Sequence, residues 1–293
     1  MRRVRSPWST EMKNILLRLA KGQRPLRAVL ARQVLKRFPL LSYADRLNFG
    51  YDFVERPHYA HCIFHAAKLA HSLKYPKMSV IEFGCGGGKG LINAESHITE
   101  VMKIFPVEIE LYGFDLGSGL PQPKDYRDMP YYFRHGLYKM DRTSLEKKLT
   151  RAKLVIGAVE DTCATFFKDY DPAPVGCIFH DLDFYSSTCA ALKLQDAQSS
   201  RFLPRVLMYF DDIIGNNEAW LCSEFTGERL AIQEFNRDHD MRKISQDYYL
   251  PTKYPSQSWV EHMYVYHDFA HPNYNDFVAD EEQNLHQRDI ALG

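Results

Sequence analysis

The stretch Ser79-Val80-Ile81-Glu82-Phe83-Gly84-Cys85-Gly86-Gly87-Gly88-Lys89-Gly90 decides the fold. Its first half is a short apolar run, which suits a strand buried on both faces. The glycines that follow allow a tight turn and let a ligand approach the backbone closely. Working outward, the helical spacing from Tyr59 to Leu73 leads into this strand, and four similar runs follow it: Ile109–Phe114, Leu154–Gly157, Val175–Phe179 and Val206–Phe210. Helix-like segments separate them. Alternation of this kind predicts a doubly wound α/β fold with a mostly parallel sheet. Trp259–His267 reads as a further strand, with Met241–Tyr249 as its partner.

The glycine loop separates three ligand classes. A P-loop needs Lys followed by Ser or Thr, and here Lys89 is followed by Gly90. The dinucleotide fingerprint fails from Gly84, where Lys89 takes the third glycine position, and from Gly88, where Asn93 does. An acid ending the strand and then G-x-G remain: Glu82, Gly84 and Gly86. This pattern resembles the first motif of class I S-adenosylmethionine (SAM)-dependent methyltransferases, which implies a loop backbone facing the methionine part of SAM. The second strand ends in Asp115, an acid placed to accept hydrogen bonds from ribose hydroxyls. The third tip runs Gly157-Ala158-Val159-Glu160-Asp161-Thr162. By the same resemblance Val159 or Glu160 borders the adenine, while Asp161 or Thr162 is suited to cap the next helix.

Asp181 and Asp183 follow the fourth strand, and Asp211 and Asp212 end the fifth. Adjacent parallel strands lie about 4.8 Å apart, so Asp181, Asp211 and Asp212 can converge. Carboxylates that close repel one another unless a cation sits between them, and hard oxygen donors point to Mg²⁺, with Mn²⁺ or Ca²⁺ as alternatives. Helix capping or ion pairing is the competing role. Asp181-x-Asp183-x-Tyr185-x-Ser187-Thr188 with the later Asp211-Asp212 pair resembles the macrocin- and novobiocin-type sugar O-methyltransferases, a metal-dependent branch of class I. Supporting matches are Gly113–Pro121, Gly157 with Asp161-Thr162, and Gly227–Phe235, so the resemblance covers roughly residues 78 to 236. It implies a Rossmann-like sheet of seven strands, the last antiparallel, with an N-terminal helical extension. It also implies metal ligation by Asp181, Asp211 and Asp212, with Asp181 bordering SAM as well. Asp183 is the implied general base, and His180 an alternative, because Phe184 stands where catechol-type relatives place a lysine. The family's Pro-Gly-Gly approach to strand five is replaced by Leu203-Pro204-Arg205, a departure expected to alter the approach to the site.

At 293 residues, 45% hydrophobic and 25% charged, the chain can build a sizeable core and is not disordered. Its zero net charge hides an asymmetry, +10 over residues 1–40 against −10 over the rest. An acidic body disfavours a nucleic-acid surface. Basic amphipathic spacing from Glu11 to Phe38 predicts two short helices, a cap on the main domain or a contact with an anionic membrane surface or a partner. The expected units are a helical extension and lid at 1–75, a catalytic domain at 76–270 and an acidic tail at 271–293. Scattered cysteines suit a reducing, cytoplasmic setting, and no apolar run is long enough to span a bilayer. His58, His61 and His65 share a helix face, more simply as a polar face than as a metal site. The reading that results is a SAM-dependent O-methyltransferase acting on a small, sugar-like hydroxylated acceptor, with a homo-oligomer possible in form. A metal-independent methyltransferase and a non-catalytic SAM- or nucleotide-binding protein are the alternatives.

Overall fold

The computed structural model describes residues 42–49, 54–255 and 257–279, without the side chains of Asn48 and Phe49. The basic helices expected between Glu11 and Phe38, residues 50–53 of the expected extension and lid, and the tail from residue 280 lie outside the described residues. Helices α1 (Tyr43–Phe49) and α2 (Pro57–Ser72) precede β1 (Lys77–Phe83). The chain continues through α3 (Lys89–Val101), β2 (Glu108–Asp115), α4 (Arg142–Glu146), β3 (Lys153–Ile156), α5 (Val159–Tyr170), β4 (Val175–His180), α6 (Tyr185–Leu192) and β5 (Phe202–Phe210). It ends with α7 (Gly227–Asp238), β6 (Arg242–Gln246), α8 (Tyr249–Lys253) and β7 (Met263–Asp268).

The strands form one seven-stranded sheet in the order β3-β2-β1-β4-β5-β7-β6. The β1 to β5 pairings are parallel, and β7 runs antiparallel to both of its neighbours. The expected architecture, including the single reversed last strand, is therefore present. Strand periodicity distributes the apolar side chains between two cores. Met78 and Val80 join α2 and α3 on one face, while Ile81 and Phe83 join α5, α6 and α7 on the other. Burial of β1 and β4 on both faces explains why their sequences read as continuous apolar runs.

Three boundaries differ from expectation. Trp259 and Val260 belong to a 3₁₀ turn and pack into the α2-side core, so their apolarity serves loop burial and β7 begins only at Met263. Tyr249 opens α8, with the Asp247 carboxylate accepting its backbone N–H, and is not the end of a strand. Strand β5 starts at Phe202, which places Leu203 and Pro204 at its far end, roughly 25 Å of extended chain from Asp211. The departure at these residues therefore lies away from the carboxylates. Residues 269–279 fold back on the sheet, where Arg205 donates to the Tyr274 carbonyl at 3.0 Å and Tyr75 to Asn273 at 3.1 Å. Among the described residues no helix is long and apolar enough to cross a membrane. All six cysteines are free.

Candidate active site

From β1 the chain winds outward through β2 and β3, then returns to place β4 and β5 on the other side. This reversal leaves a crevice at the carboxyl ends of β1 and β4, the place where open α/β sheets bind ligands. Gly84 sits in its floor at φ +81°, with its N–H donating to the Phe114 carbonyl at 2.9 Å. A Cβ there would lie 1.7 Å from the Asp181 carbonyl oxygen, so the tips of β1 and β4 meet only over a glycine. At Gly90 a Cβ would lie 2.1 Å from the Glu82 carboxyl and 2.4 Å from the Tyr59 hydroxyl. Gly86 differs, because a Cβ on it would meet nothing within 4 Å. Its backbone borders open space and its N–H donates to Asp115 Oδ2 at 2.8 Å, while Gly117 N–H donates to Oδ1 at 2.6 Å. One carboxylate thus ties the glycine loop to the turn after β2.

A cavity of about 530 Å³ opens above this loop, lined by Glu82, Gly84, Gly86, Asp115, Val159, Glu160, Asp181, Asp183, Asp211 and Asp212. Helix α5 begins at Val159, so Asp161 and Thr162 lie inside its first turn and neither caps it. Thr162 Oγ1 donates back to the Ala158 carbonyl at 3.0 Å instead. Glu160 forms an exposed ion pair with Lys124 of the 116–141 segment. Glu82 is buried, and its Oε2 has no hydrogen-bond partner among the described residues. Burial pushes this carboxyl up to about 8, against the opposing Tyr59 hydrogen bond and Arg56 charge.

At the other end, carboxylate oxygens of Asp181, Asp211 and Asp212 all lie within 4.8 Å of one another. Among the described residues they form the one group of this kind, and no ion pair neutralises any of them. Asp181 and Asp211 open on the cavity, whereas Asp212 is buried. Burial, then the neighbouring acids, raises both Asp181 and Asp212 well above the ordinary carboxylate range. Asp183 is only 7% exposed and is pushed up to about 7 by burial and by Asp211. Its N–H donates to Asp212 Oδ2 at 2.7 Å. With φ +58° and the Phe184 N–H bonded to the Leu182 carbonyl, Asp183 occupies the strained form of a γ-turn. Non-glycine residues held in such regions cost on the order of 1–3 kcal/mol and cluster at functional sites.

The donor set fits a hard divalent cation: three oxygen ligands, mutually repelling, with their surroundings already ordered. Tyr209 donates to Asp211 Oδ1 at 2.7 Å, and its ring stacks between His58 at 4.1 Å and His262 at 5.5 Å. Glu228, wholly buried, accepts the Asp212 N–H at 2.9 Å. The sequence left both unassigned, although Glu228 lies in the Gly227–Phe235 match. His180 is excluded as a base. It is wholly buried, stacked against Phe210 at 4.4 Å and Phe83 at 5.3 Å, and burial lowers it to about 3. His58, His61 and His65 do lie along α2, but they pack against rings and do not converge on a metal.

Phe184 explains the missing lysine. Its side chain is fully buried in a third, small core with Leu120, Met129, Phe133 and Trp220. That core joins the 116–141 segment to the loop after β5, where Tyr132 stacks on Trp220 at 5.1 Å. Asp128 locks the segment to α6 by accepting the Ser186 N–H at 2.8 Å and the Lys124 N–H at 2.7 Å. Tyr132, Phe133, Tyr138, Asn216 and Trp220 consequently wall the acidic end of the cavity.

No protein-family model matches the chain, and no curated protein matches it. Solved structures of similar shape include the calicheamicin methyltransferase CalS11 (19% identity over 79% of this chain and 86% of that one, TM-score 0.45) and the O-methyltransferase NovP (14%, 72% and 79%, TM-score 0.48). Another is the O-methyltransferase TomG of Streptomyces achromogenes, solved with SAM (12%, 83% and 89%, TM-score 0.39). At this level of likeness neither activity nor acceptor carries over to this chain.

Proposed function

We propose that this protein is a SAM-dependent O-methyltransferase that requires a divalent cation and methylates a hydroxyl of a small, sugar-like acceptor. One observation carries the reading: a glycine loop tied to Asp115 and a repelling carboxylate cluster share one cavity at the sheet's switch point. SAM is the methyl-donating substrate, its methionine part over Gly84 and Gly86, its ribose at Asp115 and its adenine beside Val159 and Glu160. Asp181, Asp211 and Asp212 would hold the cation, which when bound makes a nearby hydroxyl more acidic.

The chain's own groups supply the rest. Asp183 receives the acceptor's proton on a carboxylate oxygen, and a pKa near 7 suits a general base at neutral pH. Its strained turn and the hydrogen bond from its N–H to Asp212 fix the backbone from which that carboxylate projects. The aromatic wall excludes water and orients the acceptor, and such alignment supplies much of the acceleration in bimolecular transfer. Against a purely binding role stands the cost of burying Asp183, Asp212 and Glu228 beside Asp181 and Asp211, acids that repel one another.

The test is methyl transfer from SAM to vicinal-diol acceptors such as nucleotide sugars, assayed before and after EDTA dialysis and after Mg²⁺ or Mn²⁺ is restored. Turnover lost on dialysis and regained with the cation is expected. Undiminished turnover in EDTA would remove the cation from the reading.

A further inference from the structure

The amino-acid end of a donor such as SAM carries an ammonium and a carboxylate side by side. The acids at the β1 and β4 tips answer only the first of these charges. Arg56 lines the same end of the cavity as Glu82, Gly84 and Gly86. It occupies the N-cap position of α2 at φ +45°, a left-handed conformation that disfavours any residue with a Cβ. The capping is not done by its side chain. Instead the guanidinium lies 5.5 Å over the Tyr59 ring. Tyr59 is itself stacked on Phe179 at 3.9 Å and 9°, so this platform is firmly seated on the sheet.

Among the described residues no ion pair takes up the Arg56 charge, although that charge is felt at both Glu82 and Asp181. Beside it, Glu82 Oε2 is buried and unpartnered. An unclaimed cation for the carboxylate and a buried carboxyl oxygen free to accept from the ammonium together match the two ends of an amino-acid zwitterion. Lys89 also lines this end, but it begins α3 and exerts no comparable influence on either acid.

We infer that Arg56 is a donor-binding residue whose guanidinium, cushioned on Tyr59, holds the α-carboxylate of the methyl donor. The inference rests on the SAM reading above and adds to it a residue from outside the strand tips. Planar guanidinium donors match a carboxylate in two parallel hydrogen bonds, which a lysine cannot reproduce.

The experiment is calorimetric titration of the full chain with S-adenosylhomocysteine and with 5′-methylthioadenosine, which shares the nucleoside but lacks the amino-acid group. The proteins compared are wild type, Arg56→Gly and Arg56→Lys. Glycine suits the left-handed φ, so the first variant is not strained by its backbone. Loss of a charge-assisted pair predicts that Arg56→Gly binds S-adenosylhomocysteine about tenfold to a hundredfold more weakly. Arg56→Lys should fall between the two, and methylthioadenosine should bind all three proteins within about twofold. Unchanged S-adenosylhomocysteine affinity in Arg56→Gly overturns the inference. Equal weakening of both ligands also overturns it, since Arg56 would then only brace α2. If wild type binds neither compound, the donor reading itself fails, and the inference with it.

Discussion

At one end of the cavity the glycine loop and Asp115 satisfy each other; at the other, four acids crowd one another without relief. Both oxygens of Asp115 accept backbone N–H groups, one from the loop and one from its own turn. The Asp115 carboxylate is thus ordered before any ligand arrives, whereas among the described residues Glu82 Oε2 and Arg56 beside the loop still await partners. Asp181, Asp183, Asp212 and Glu228 are all raised above the normal carboxylate range, with burial as the main cause and neighbouring acids, Asp211 among them, adding to it. Here the fold crowds acids in a costly arrangement, which a bound cation would offset. The contrast teaches that backbone bonds alone can order the loop carboxylate, while the crowded acids keep an imbalance that only a ligand could resolve.

The sharpest way to break this contrast is Asp183→Asn. An amide preserves the volume and the backbone turn but cannot take up a proton. Turnover should fall by about 10²- to 10⁴-fold while S-adenosylhomocysteine affinity, measured calorimetrically, stays within about twofold. Full activity in the variant would move the base elsewhere. Next in size comes Gly84→Ala, placed where the two ends touch. Its Cβ would collide with the Asp181 carbonyl at 1.7 Å in a left-handed backbone. A stability loss of about 2–4 kcal/mol in urea unfolding is expected, with both donor and cation binding weakened together. Weakening at one end alone would mean that the ends are built independently.

A smaller effect sharpens the same comparison through pH. Glu82, at about 8, and Asp183, at about 7, hold protons in the folded protein that the unfolded chain releases near pH 4. The folded state therefore binds more protons between these values, and stability declines as pH rises. The thermal midpoint of the cation-free protein should drop by a few degrees from pH 5 to pH 8, and millimolar Mg²⁺ should recover part of it. A midpoint that climbs over this range would contradict the burial of these acids.

Much of this arrangement was legible in the chain because strand tips are local features. Glu82, Asp115, Asp181 and Asp211 end apolar runs, and a parallel sheet brings such ends together whatever the loops do. Glycine spacing was equally readable, since φ > 0 and close backbone approach leave few other choices at Gly84. Residues that act from other elements escaped. Arg56 and Tyr59 come from a helix before the sheet, Tyr209 shows no anomaly within a buried strand, and Phe184 reads as a lysine lost until its own small core is seen. His180 stands as an alternative base in the sequence because its position in the chain says nothing about which face of β4 it occupies. Alternation turns it between Phe83 and Phe210.

What the sequence determined alone was the order of strands and turns, together with the acids and glycines at their ends, because those depend on periodicity and on backbone conformations open to few residue types. Only the tertiary structure decided which acids lie within one cation's reach, which are sealed from solvent, and which side chains support them. Those properties depend on distance and burial among residues far apart in the chain, and no local pattern encodes either.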